Sequence, residues 1–146
     1  MIRVVLDTNQ IVSALLGPTG PSFEILKASG LEGEARYELV LSNEILAEVR
    51  RVLSYPRIRT LLGWSANRIE AFIGLLKESS HLGDSRGRER IVPADPDDDK
   101  FFHLALKTGA RYIVSRDAHL LDVREYEGIL VLGPEAFLSA MKRGLL

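Results

Sequence analysis

The sequence contains no cysteine, which removes disulfide bonds and every thiolate metal site from consideration. Histidine is scarce: His81, His103 and His119 stand apart, without the spacing of a zinc site. No apolar run approaches the roughly 20 residues that a bilayer span requires. The opening "MIRVVLDTN" puts an aspartate where the apolar heart of a signal peptide would have to lie, so a cytoplasmic protein with no membrane association is expected. Neither sign of charge prevails, with 19 basic and 20 acidic residues and a net charge of −1. That balance does not announce a nucleic-acid binder, although a local basic patch can coexist with a local acidic pocket. Repeats, low-complexity tracts and breaks in composition are also lacking. The 146 residues are therefore expected to form one domain, 1–146, around an ordinary core.

What is present alternates between two patterns. "IRVVL" (2–6), "YELVLS" (37–42), "RYIVS" (111–115) and "GILVLG" (128–133) are short apolar runs suited to buried strands. Between them lie amphipathic helical stretches: "TNQIVSALL" with Gly17 as a stop, "GPSFEILKASG", "NEILAEVRRVLSY" with Ser42 as N-cap, "SANRIEAFIGLLKESS" with Ser65 as N-cap, and a helix from "DPDDD" to Thr108 with Gly109 as its C-terminal cap. "RDAHLLDV" reads as a short helix and "PEAFLSAMKR" as a last one. The segment 83–96 is polar and loop-like. This alternation predicts a three-layer α/β/α sandwich with a mainly parallel central sheet. The stretch 43–80 contains no strand pattern and is expected to stand partly off the sheet as a helical hairpin.

Several acids occupy positions that invite chemistry. Asp7 directly follows the first strand, and ligands of open parallel sheets bind beyond the carboxyl ends of the strands. Capping the next helix is an equally good reading on position alone. Asp117 follows the strand "YIVS" in the same way, and two acids after parallel strands fall at the same sheet edge. Glu48 borders the apolar stripe Ile45, Val49, Val52 and Leu53 of its helix, whereas Glu44 suits the helix N-terminus electrostatically. In "DPDDDKFFHLAL" the stripe is Phe101, Leu104, Ala105 and Thr108. Counting back from it directs Asp98 inward from the first turn and leaves Asp99 facing solvent. Asp97 and Asp99 are then explained as first-turn acids that match the helix dipole.

If Asp7, Glu48, Asp98 and Asp117 converge, their mutual repulsion calls for a cation. An all-oxygen set without nitrogen or sulfur suits Mg2+ or Mn2+. The fitting chemistry is phosphodiester hydrolysis, in which the ion lowers the pKa of water and offsets charge in the transition state.

These residues resemble the PIN-domain ribonucleases, in particular the toxin components of type II toxin–antitoxin systems. "VVLDTNQIVSALL" is similar to the family's opening strand and its "DTN" motif, which assigns Asp7 as a metal ligand and Asn9 as a residue ordering the pocket. "LSNEILAEVRRVL" resembles the segment of the second acid, Glu48. "DPDDDKFFHLALKTGARYIVSRD" resembles the segment of the third and fourth, Asp98 and Asp117, with Ser115 where the family often has threonine. The resemblance covers nearly the whole chain. It implies Mg2+- or Mn2+-dependent cleavage of single-stranded RNA, homodimerisation, and a cognate antitoxin that blocks the pocket.

For RNA contacts the sequence offers Arg116, beside Asp117, and Arg50 and Arg51 after Glu48, with Arg57 and Arg59 beyond. Arg86, Arg88 and Arg90 precede the acidic motif. A solvated charged surface explains the same arginines. Trp64 and Tyr55 could stack on bases, although Trp64 near a helix start also suits packing. His103 and His119 are not expected to be catalytic. Two other classes compete: a non-catalytic RNA- or partner-binding protein, and a Mg2+-dependent hydrolase of small phosphoesters. The second is disfavoured by the absence of a phosphate-cradling glycine loop at "LDTNQ".

Overall fold

The computed structural model describes residues 1–146. The strands are β1 (Arg3–Leu6), β2 (Glu38–Ser42), β3 (His81–Gly83), β4 (Tyr112–Val114), β5 (Glu125–Tyr126) and β6 (Ile129–Leu132). They form one sheet in the order β3-β2-β1-β4-β6-β5, parallel except for β5, which runs antiparallel to β6. The apolar residues of β1 and β2 are buried irrespective of which face they point to. This is the condition of central parallel strands covered on both sides, and the reason their sequences read as continuous apolar runs.

The helices are α1 (Thr8–Leu16), α2 (Pro21–Lys27), α3 (Asn43–Leu53), α4 (Pro56–Leu62), α5 (Ala66–Ser79), α6 (Asp99–Thr108), α7 (Ala118–Leu121) and α8 (Pro134–Lys142). α6 lies across the sheet and touches β1, β2, β3, β4 and β6. Its inner face is Phe101, Phe102, Leu104 and Ala105, all buried. α1 packs on α2 and α3, and α2 on α8, which makes the second helical layer. The three-layer α/β/α arrangement expected from the alternation of patterns is the one observed. α5 rests on α3 rather than on the sheet, as the missing strand pattern in 43–80 foretold.

Local chemistry fixes the boundaries. Ser42 and Ser65 accept the N–H groups of Ile45 and Arg68, each at 3.1 Å, and so cap α3 and α5. Gly109 ends α6 at φ 74°, a left-handed conformation that a Cβ would strain. Pro56 stops α3 but then serves as the first residue of α4, a helix absent from the sequence reading. β3 and β5 were also missed. β3 has three residues and no buried side chain, so pairing with β2 defines it, not hydrophobic pattern. No helix is long and apolar enough to cross a membrane.

The chain runs from β1 outward to β2 and β3, then returns to place β4 on the other side of β1 and β6 beyond it. The topological switch point therefore lies between β1 and β4. A crevice forms there at the carboxyl ends of the strands, the usual place for a ligand in an open α/β sheet.

Candidate active site

Asp7 and Asp117 flank that switch point. Leu6 and Val114 are register partners, so the residues that leave β1 and β4 emerge side by side. The Asp7 N–H still reaches the Val114 carbonyl at 3.3 Å. Asp7 caps α1, its Oδ1 accepting the Gln10 N–H at 2.7 Å, while its Oδ2 accepts the Ser115 hydroxyl. The two readings of Asp7, cap and site, are thus compatible: one oxygen caps and the other faces Ser115. Ser115 is fully buried, and its Oγ also accepts the Asp117 N–H at 2.9 Å. One hydroxyl therefore ties the ends of β1 and β4 together. Asp117 caps α7 through the His119 N–H at 2.9 Å.

Asp98 closes the group from the opposite side. A 3-10 turn, Pro96–Asp98, feeds directly into α6, and Asp98 stands at the helix start without making a capping bond. Its carboxyl faces Asp117 closely enough to share a proton, with Asp7 and Asp95 also nearby. Burial, then the hydrogen bond to Asp117 and the charges of Asp95, Asp117 and Asp7, push its pKa up to about 7. Burial also drives Asp7 up, to about 6, against the lowering effect of its Ser115 and Gln10 bonds and together with the charges of Asp117 and Glu48. Asp98 Oδ2 is buried and has no hydrogen-bond partner.

Glu48 approaches from α3 but is engaged differently. Its Oε1 accepts the Thr8 hydroxyl, its Oε2 pairs with the Lys100 ammonium, and Arg51 lies 3.8 Å from the same oxygen. As the side chains stand, no three acids or imidazoles gather closely enough to grip one ion. The donor set nevertheless fits a hard divalent cation. Three carboxylates face one another, two of them hold protons against their ordinary acidity, and a buried oxygen is left without a donor. Asp7, Asp98 and Asp117 are the residues that could hold such an ion through oxygen alone.

Asp99 corrects the sequence reading. Expected at the solvent side, it is 5% exposed. Its Oδ1 accepts the N–H groups of Ile91 and Val92 at 3.1 and 2.7 Å, and its Oδ2 pairs with Arg90 at 2.7 Å. It anchors the polar segment 84–92 to α6. The same segment lies on His103, whose ring would stand 2.4 Å from a Cβ at position 87, so only glycine fits there. His103 is thereby occupied with packing and with the Glu89 carbonyl at 3.0 Å. Asp97 is exposed, as expected, and pairs with Lys100 at 3.1 Å.

The remaining candidates lie around the rim. Asn9 is exposed and shares a shallow polar cavity with Gln10, Ser13, Arg116 and Asp117. Within the "DTN" triplet it is Thr8 that hydrogen-bonds a second acid. Arg116 pairs with Glu135 at 2.7 Å and Arg50 with Glu70 at 2.7 Å, all four side chains largely in water. Trp64 packs edge-on against Phe72 and under Arg68, away from the acids. Thr8 and Lys100 were the site residues not singled out from sequence. Lys100 did carry a signal, as a cation in the first turn of a helix, where the dipole disfavours it.

The PIN-domain family model matches residues 3–119, a span that contains Asp7, Glu48, Asp98 and Asp117. An uncharacterized protein of Methanocaldococcus jannaschii is 31% identical over 124 residues, covering 85% of this chain and 76% of the relative.

Proposed function

The chain belongs to the PIN-domain family, whose members are generally metal-dependent nucleases, and on that premise we propose that it is a Mg2+- or Mn2+-dependent endoribonuclease. The observation that carries the reading is the meeting of Asp7, Asp98 and Asp117 at the switch point, with Asp98 Oδ2 buried and unpartnered. Acids placed for stability alone are matched by donors; these lack a counter-charge that RNA chemistry supplies from solution.

A bound divalent ion would lower the pKa of water and offset charge on the scissile phosphoryl group. The chain contributes position and orientation. Ser115 fixes Asp7 and, through the Asp117 backbone, the start of α7, so that two of the acids form a rigid pair. α6 delivers the third from the other wall. Glu48 is held by Thr8 and Lys100 at the edge of the group. Arg116 stands beside Asp117 at the mouth, where a phosphate of the RNA backbone could exchange with Glu135. The same reading extends to the toxin of a toxin–antitoxin pair, acting as a homodimer in the cytoplasm, with an antitoxin that covers the acidic crevice.

The test is cleavage of single-stranded RNA by purified protein. Activity that needs Mg2+ or Mn2+, stops with chelator and is lost in Asp7→Asn supports the reading. Metal-independent cleavage that survives Asp7→Asn, or no cleavage of any RNA by metal-loaded protein free of partners, rejects it.

A further inference from the structure

The acidic crevice contains its own cation. Lys100 is 7% exposed in its side chain, and its ammonium binds Glu48 Oε2 and, at 3.1 Å, Asp97 Oδ2. The Phe101 ring lies 5.3 Å away. Two physical costs argue against a merely structural lysine. A buried ammonium forfeits several kcal/mol of hydration, which an ion pair only partly returns. It also stands in the first turn of α6, where the helix dipole repels it. A neutral residue of similar length would suit α6 better.

The ammonium and Thr8 together use both oxygens of Glu48. The four acids therefore divide into two sets: Asp7, Asp98 and Asp117, which face one another without a cation, and Glu48, which already has one. Two-ion phosphodiester sites place their metals about 3.5–4 Å apart, with carboxylates supplied to both. Here the carboxylate left over for a second ion is the one on which Lys100 sits, and a divalent ion beside an ammonium meets like-charge repulsion.

We propose that the Lys100 ammonium takes the place of a second divalent ion, so that the centre loads a single ion at Asp7, Asp98 and Asp117 while Lys100 positions Glu48. This rests on the metal-dependent reading above and sets the ion count that the family resemblance leaves open. Lys100 is thus a positioning residue that acts through Glu48.

The experiment is calorimetric titration of MnCl2, without nucleic acid, into wild type, Lys100→Met and Lys100→Arg. Circular dichroism confirms that each variant is folded. Wild type and Lys100→Arg are expected to take up one ion per chain, and Lys100→Met two, because Glu48 is released to ligate. Two ions in wild type, or a single ion of unchanged affinity in folded Lys100→Met, overturns the proposal while leaving the metal-dependent reading intact. No uptake by wild type overturns both. Should Lys100→Met fail to fold, the neutral pair Glu48→Gln/Lys100→Met removes the unpaired charge. It is expected to bind one ion with wild-type affinity, and a loss of binding counts against the assignment of Asp7, Asp98 and Asp117 as the loading set.

Discussion

Ser115 donates its hydroxyl to Asp7 across 108 positions of sequence, with both side chains buried. The bond lowers the Asp7 pKa while burial and the neighbouring acids raise it. Ser115→Ala removes the donor and leaves Asp7 Oδ2 unmatched in a space without water. A loss of about 1–3 kcal/mol is expected, the usual cost of a buried polar atom stripped of its partner. Ser115→Thr keeps the hydroxyl and is expected to lose less. Urea unfolding of the two variants in parallel checks this.

Acid pH is expected to favour the metal-free fold at these positions. Folded Asp7 at about 6 and Asp98 at about 7 hold their protons more tightly than they would in the unfolded chain, where the values fall near 3.8. Their contribution is therefore fully present below about pH 4 and is lost as the pH rises through 6 to 7. For Asp7, 4% exposed, a shift from 3.8 to about 6 corresponds to about 3 kcal/mol. Asp98 is half open to solvent and contributes less. In chelator, Asp7→Asn should gain stability relative to wild type between pH 4 and pH 8. Denaturant midpoints across that range measure the difference, and a constant offset contradicts the assignment.

Gln10, 2% exposed, has no partner for either amide atom. Burying an amide without hydrogen bonds is destabilising, and methionine has nearly the same length and shape. Gln10→Met is expected to raise stability by about 1–3 kcal/mol. Thermal unfolding of the metal-free protein reads the change, and a lower midpoint would mean that the amide has a partner in solution.

Asp99→Ala tests the anchor of the segment 84–92. It leaves the Ile91 and Val92 N–H groups without an acceptor and releases Arg90. A loss on the order of 3 kcal/mol is expected, with faster amide exchange at Ile91 and Val92. Exchange unchanged at those two amides would refute the role.

Much of this was readable before any coordinates. The acids that end β1 and β4 follow from strand polarity, because parallel neighbours finish at one edge. Asp98 followed from helical counting, since its place is set by the apolar stripe of its own helix. Asp99 misled for a related reason. Local periodicity sends it outward, but its three donors come from residues 90–92, a loop whose return path no helical pattern encodes. Lys100 and Thr8 escaped because each serves Glu48, 52 and 40 residues away, and sequence spacing carries no record of such meetings. β3 and β5 escaped because strands of three and two residues are defined by pairing rather than by composition.

The central claim is that Asp7, Asp98 and Asp117 hold a divalent ion at the β1–β4 switch point. The most direct measurement is anomalous diffraction from a crystal of the protein soaked in MnCl2. One manganese peak within ligating distance, about 2.0–2.4 Å, of oxygens from those three side chains is the predicted result. A soaked crystal with manganese bound elsewhere and none at these acids would contradict it.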